Sequence, residues 1–363
     1  MDEKYCACMV LSGVGDAIGY KNGRWEFERN PKQILKEYNH LGGYQNIKVD
    51  HSNWRVSDDT VMHLATAIAI TRDNADDFEK TCQEMATAYV RCMEDMGGRA
   101  PGRQSIESLS KMTPGMKSKL LKWNEIPYAP AGGGCGGAMR AMCIGLKYSS
   151  SASFDQLLRF SIESGRITHN HPVGFLGAYV AALFTSYAIQ GVAPRQWGRK
   201  LMSEGLPAAK QYLVDSQAQP HRTMELYERG WNYFYTAWES YLRDRQIGVE
   251  NGGDSDPVFP ETYGFLERDE YYNKLSFDGW GGSSGHDSVL IAYDALLGAG
   301  NSWKEMIERS AIHGGDSDST AAIGCAWWGA LYGFEGVPDC NYQLLEYRPE
   351  LYALAKTLLN QRK

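Results

Sequence analysis

The sequence predicts an all-α protein, and three observations carry that expectation. Apolar residues recur at i, i+3, i+4 and i+7 in one stretch after another, the spacing of one helix face. Runs that alternate every two residues with β-branched side chains, as half-buried strands do, are scarce. The periodic stretches are separated by short Gly/Pro-rich breaks, the clearest at 97–103, 126–137, 246–262 and 279–285.

In chain order, Val61, Leu64, Ala65 and Ile68 mark a helix that starts near Val61. An apparent helix over 138–146 follows the second break. Phe175, Ala178, Tyr179 and Ala182 mark the next, within an uncharged stretch over 173–189. That stretch is at the short end for a membrane span and contains Thr185, Ser186 and Tyr187, so it reads as a buried core helix. Val289, Ala292, Tyr293 and Leu296 continue a helix from Ser288; Ile323, Ala326, Trp327 and Ala330 mark another. Leu351, Leu354, Ala355 and Leu358 close the chain in the same way. The breaks are too short and varied for linkers, and no solenoid period repeats. One domain over 1–363 is expected, with the polar stretch 205–262 as a lobe or cap on it.

Composition narrows the function classes. With 43% hydrophobic and 22% charged residues, the 363-residue chain can build a large core and is not a disordered one. A net charge of −7 argues against a general nucleic-acid binder. Met1-Asp2-Glu3-Lys4 has neither the basic start nor the apolar centre of a secretory signal. The 8 Cys form no C-x-x-C pair, so they read as reduced thiols of a cytoplasmic protein rather than a disulfide scaffold or zinc site. No membrane contact and no obligate partner is expected, and the chain is read as a monomer.

Two acidic motifs stand out: Ser57-Asp58-Asp59-Thr60 and Gly314-Gly315-Asp316-Ser317-Asp318-Ser319-Thr320, each directly before a predicted helix. Helix capping explains one such residue per motif. Capping does not explain several adjacent carboxylates, which repel one another without a cation nearby. If the motifs meet in space, four carboxylates suit two Mg²⁺ ions about 3.5–4 Å apart. Asp254-Ser255-Asp256 repeats the pattern, but Pro257 follows and it reads as a turn. The acids between Asp73 and Asp77 read as surface at the end of a helix.

Two glycine-rich loops, 132–137 and 279–285, each precede a helix, an arrangement that exposes backbone N–H groups to phosphate. Gly13-Val14-Gly15-Asp16 with Gly19 has the wrong spacing for a dinucleotide fingerprint. His169-Asn170-His171-Pro172 lacks a third soft ligand and reads as pocket lining or structure, and His286 and His313 as structural or supporting groups.

On these motifs the chain resembles the ADP-ribosylglycohydrolase family, most closely its ADP-ribosylarginine hydrolase branch. The matching stretches are Gly15-Asp16-Ala17-Ile18-Gly19-Tyr20, Trp25-Glu26-Phe27, 56–67, 93–101, 133–146, 161–172, 279–287 and 312–322, which together reach almost the whole chain. The resemblance implies a single, nearly all-α domain with a binuclear Mg²⁺ centre held by Ser57, Asp58, Asp59, Asp316, Asp318 and Ser319, with Thr60 adjacent. It implies Glu26 on a mobile loop near the metals. It also implies a cleft lined by Ser105, Glu107, Ser108, Gly133, His169, Asn170, His171, Asp278, Gly279, Trp280, Ser283 and Ser284. The implied reaction is Mg²⁺-dependent hydrolysis of the N-glycosidic bond between ADP-ribose and arginine, reversing mono-ADP-ribosylation, with Asp58 or Asp59 as the base. The family includes a relative with degraded acidic motifs; both are whole here. Three alternatives stay open: hydrolysis of O-linked ADP-ribose, silent binding of ADP-ribose, and a metal-dependent phosphatase or pyrophosphatase.

Overall fold

The computed structural model describes residues 1–72, 77–116, 120–217, 221–248 and 255–363. Among these residues helices and turns account for the regular structure. There is no β-strand, only two isolated bridges, Asp50 with Leu344 and Gly134 with Ser284.

Two helices from opposite ends of the chain form the centre, Asp2–Tyr20 and Ser317–Tyr332. The first is buried from Tyr5 to Tyr20 and the second from Ser317 to Ala330. Such all-round burial marks a central helix rather than a surface one. Their backbones touch. A Cβ on Gly15 would lie 2.3 Å from the Ala321 carbonyl oxygen, and one on Gly19 would lie 2.3 Å from that of Ser317. Only hydrogen fits at these two positions, and Ser317 Oγ donates to Gly19 O across the crossing (3.0 Å).

The other helices wrap this pair. The uncharged stretch forms the helix Pro172–Gln190, with Pro172 opening it, His171 capping it by accepting from Val173 N (3.2 Å), and Gly191 ending it at φ 75°. It has the length and apolarity of a membrane span, but it is almost wholly enclosed by protein. Trp327 Nε1 donates to Ala181 O (3.0 Å) and joins it to the central pair.

Several boundaries move from their expected places. The helix expected from Val61 begins at Asp58, so the acidic motif forms its first turn. The helix expected over 138–146 is only Met142–Lys147, because 135–137 is a 3₁₀ turn held to the other glycine loop. The acids at 73–76 and Asp254 lie outside the described residues. Asp77 does not end a helix: it caps the next one, Phe78–Cys92, by accepting from Lys80 N (3.1 Å). Within 205–262, the helix Met224–Asp244 turns Tyr227, Trp231, Phe234, Trp238, Tyr241 and Leu242 into the common core. Trp238 meets Phe184 with ring centroids 5.6 Å apart, so this part packs on the body rather than standing off it as a lobe. Ser255 and Asp256 are exposed in an irregular segment.

The Gly15 crossing is directly testable. Gly15→Ala gains about 1 kcal/mol of helix propensity. The clash with a backbone carbonyl is expected to exceed that and lower net stability by about 1–3 kcal/mol in urea unfolding. Gly97→Ala, which meets nothing within 4 Å, is the control. An unchanged midpoint for Gly15→Ala would refute the backbone contact.

Candidate metal centre

The crossing of the central helices sets Asp16 beside the second acidic motif. Asp16 is fully buried and serves as a clamp for the first motif: its Oδ1 accepts from Ser57 N (2.9 Å) and its Oδ2 from Thr60 N (3.0 Å) and from Thr60 Oγ1. Ser57 Oγ accepts from Asp59 N (3.1 Å), so Ser57 caps the helix whose first turn holds Asp58 and Asp59. Arg99 braces the approach. Asp58 N donates to its carbonyl (3.1 Å), and its guanidinium binds Val56 O (2.8 Å) and Glu346 (2.8 Å).

The second motif is held as tightly. Asp316 N donates to Gly281 O (2.9 Å), and Asp318 Oδ1 accepts from Ser319 N (2.9 Å). Glu26 reaches in from a turn so that it, Asp316 and Asp318 each place an oxygen within 4.8 Å of the others. Asp58, Asp59, Glu26, Asp316, Asp318 and Ser319 face one cleft of about 500 Å³. Ser57 lies beneath it as a cap, fully buried.

These carboxyls crowd a desolvated space. Burial, and then the charge of Asp318, raises Asp16 to about 7. Burial, Asp318, Asp316 and other neighbours push Glu26 up to about 12. Burial also lifts Asp58, Asp59, Asp316 and Asp318, reinforced for Asp58 and Asp59 by Asp318 and for Asp318 by Asp316. Arg140, itself fully buried, is the cation that opposes this at Asp58. Asp59 Oδ2 and Glu26 Oε2 are buried with no hydrogen-bond partner among the described residues. Orphaned, crowded carboxylate oxygens of this kind fit a hard divalent cation.

The two glycine loops close the cleft by pairing with each other. Cys135 N donates to Ser283 O (3.0 Å), and Gly285 N donates to Gly133 O (2.8 Å). These two amides are therefore used within the protein rather than presented to a ligand. Gly134, Cys135 and Gly136 line the cleft, with Ser105, His169, Trp280 and Ser283. His169 packs against the loop, where a Cβ on Gly136 would stand 2.6 Å from its ring. Burial holds His169 down at about 3, so its imidazole is neutral.

The other residues expected at the cleft lie outside its lining. Ser108 Oγ donates to Thr168 O (2.7 Å). Asn170 donates to Ile126 O (2.9 Å) and accepts from Tyr227. His171 caps its helix and stacks on Tyr128. Gly133 and Ser284 belong to the pairing of the loops. Glu107 is exposed and paired with Arg103 (2.6 Å). Asp278 and Gly279 are exposed on the turn before Trp280, whose N–H Asp278 accepts (3.3 Å). His286 and His313 are buried structural groups: His286 Nε2 meets Leu275 O (3.1 Å) and His313 Nε2 meets Thr320 Oγ1 (2.9 Å).

Sequence reasoning missed two members of the centre. Asp16 carried a signal, as an acid in an otherwise apolar helix. Cys135 carried none, yet its Sγ donates to Asp316 Oδ2 (3.2 Å) and accepts from Ser319 Oγ (3.5 Å).

Comparison with known proteins agrees with this geometry. The family model described as ADP-ribosylglycohydrolase matches residues 1–363. The ADP-ribosylhydrolase ARH1 of Dictyostelium discoideum is 56% identical over 99% of this chain and 94% of its own length. The ADP-ribosylhydrolase ARH3 of Bos taurus is 28% identical over 62% of this chain and 57% of its own. A solved structure titled ADP-ribosylglycohydrolase-related protein complex superposes with a TM-score of 0.58 at 18% identity, covering 100% of this chain and 99% of that one, which speaks for the fold alone. With the match running from end to end and both acidic motifs gathered at one cleft, the chain belongs to the ADP-ribosylglycohydrolase family.

Proposed function

We propose that the protein is a Mg²⁺-dependent ADP-ribosylarginine hydrolase. It cleaves the N-glycosidic bond between ADP-ribose and an arginine side chain and so reverses mono-ADP-ribosylation. The observation that carries this is the convergence of Asp58, Asp59, Glu26, Asp316 and Asp318 at one cleft, in a chain 56% identical to ARH1 over nearly its full length. In this reading it acts as a monomer in the cytoplasm, where its thiols stay reduced.

Asp58, Asp59, Asp316, Asp318 and Ser319 would hold two Mg²⁺ ions. Bound Mg²⁺ supplies charge neutralisation and Lewis-acid polarisation at the ribose. The bond should break through an oxocarbenium-like state, as in other glycosyl hydrolyses. Arginine in the substrate is cationic and leaves as neutral guanidine, so no strong general acid is needed. None is at hand in His169, which is neutral. In this reading Asp58 or Asp59 takes the proton of the attacking water, supported by their place in the cleft and by the unpartnered Oδ2 of Asp59. The paired glycine loops form one side of the cleft, where the absence of a side chain at Gly136 lets His169 and Ser105 pack close to it.

One second reading within the same family is hydrolysis of a serine-linked substrate. Release of free ADP-ribose from arginine- and serine-linked peptides, with Mg²⁺ and with excess EDTA, separates the two. Release from the arginine-linked peptide that needs Mg²⁺ is expected. Asp58→Ala and Asp318→Ala should lose at least about 100-fold in turnover while remaining folded by circular dichroism. Near-normal turnover in either variant would overturn the metal-centre account.

The crowded carboxyls also predict a linked effect on stability. Each has a folded value raised above that of the unfolded chain. The stability it contributes is therefore present below the usual carboxylate range and lost as pH rises through the folded value, about 7 for Asp16 and about 12 for Glu26. In EDTA the melting temperature should fall between pH 6 and pH 8. Mg²⁺ should raise it, and by more at pH 8. A melting temperature indifferent to Mg²⁺ at both values would count against a cation at this site.

A further inference from the structure

Trp280 stands at the mouth of the cleft on a turn tied to the acidic centre. Its neighbour Gly281 accepts from Asp316 N (2.9 Å), and Ser283 Oγ donates to the Trp280 carbonyl (2.8 Å). Gly279 and Gly282 flank it at φ 84° and 101°, a conformation that favours glycine and fixes how the indole is presented. Phe27 packs against the indole, with ring centroids 6.0 Å apart. A guanidinium already rests on it: Arg29 Cζ lies 5.4 Å from the ring centroid. Arg29 makes no ion pair among the described residues, and it lies three residues after Glu26, on the same turn of chain that reaches into the acidic centre.

We infer that the indole face of Trp280 is the subsite for the guanidinium of the modified arginine, and that Arg29 fills it as an internal surrogate until substrate displaces it. This rests on the arginine-linked reading above. A guanidinium is planar, weakly hydrated and always charged, and it stacks on aromatic faces; Trp is the strongest partner for it. A serine-linked substrate brings no cation, so the same face adds nothing for it. The contact therefore binds one linkage in preference to the other, by a factor of about three to thirty.

The test compares steady-state release of ADP-ribose from two peptides of one sequence, arginine-linked and serine-linked. It uses the full chain and its Trp280→Leu, Trp280→Phe and Arg29→Ala variants, each checked for folding by thermal melting. Trp280→Leu should raise KM for the arginine-linked peptide about three- to thirtyfold more than for the serine-linked peptide. Trp280→Phe should keep most of the preference, and Arg29→Ala should lower KM for the arginine-linked peptide only. Methylguanidinium should inhibit the natural chain competitively and lose potency in Trp280→Leu; this decides the matter if the serine-linked peptide is not cleaved at all. Equal losses on both peptides, or an unchanged KM with unchanged methylguanidinium inhibition, would overturn the inference while leaving the proposed function standing. A natural chain that releases nothing from the arginine-linked peptide would sink the proposed function, and this inference with it.

Discussion

The crossing of the helices Asp2–Tyr20 and Ser317–Tyr332 governs the rest of the molecule. At Gly15 and Gly19 the backbones meet with no room for a side chain. That close approach lets Asp16 on one helix act on Asp318 on the other, and Asp16 in turn clamps Ser57 and Thr60 at the start of a third helix. The C-terminal turns of the first helix are thus locked to the N-terminal ends of two others, by close backbone approach at Gly15 and Gly19 and by the buried Asp16 carboxylate. The acidic centre inherits its geometry from that packing.

The centre is an electrostatic conflict that the fold creates. Burying several carboxyls within a few ångströms of one another raises all of them, because both desolvation and mutual repulsion disfavour charge. Arg140 offsets part of this at Asp58, and backbone N–H groups at the helix starts offset more. The orphaned oxygens of Asp59 and Glu26 remain. Buried carboxylate oxygens left without partners in this way fit a hard divalent cation, whose charge would offset both the burial and the repulsion.

Charge of the opposite kind lies at the mouth. Arg29 lies over Trp280, while Arg103 is exposed and paired with Glu107. The acidic floor, with Asp58, Asp59, Asp316 and Asp318, and the aromatic rim, with Phe27 and Trp280, line one cleft. Trp280 is joined to Asp316 through a single backbone hydrogen bond at Gly281, so rim and floor keep a fixed relation.

Much was legible in the residues alone. Helical periodicity announced an all-α core, because a buried face must recur every 3.6 residues whatever its partner. The acidic motifs announced a cation site, because adjacent carboxylates at a helix start exceed what capping uses. The sequence could not say that Ser108, Asn170 and His171 turn away from the cleft, since their hydrogen bonds to Thr168, Ile126 and Val173 exist only once distant segments have packed. Nor could it show that the two glycine loops spend amides on each other, or that Cys135 lies against Asp316, a contact 181 residues apart. Local pattern determined which segments are helices and which residues carry charge, because those depend on near neighbours. Tertiary packing alone decided which charges meet, because that depends on the glycine-scale approach of helices from opposite ends of the chain.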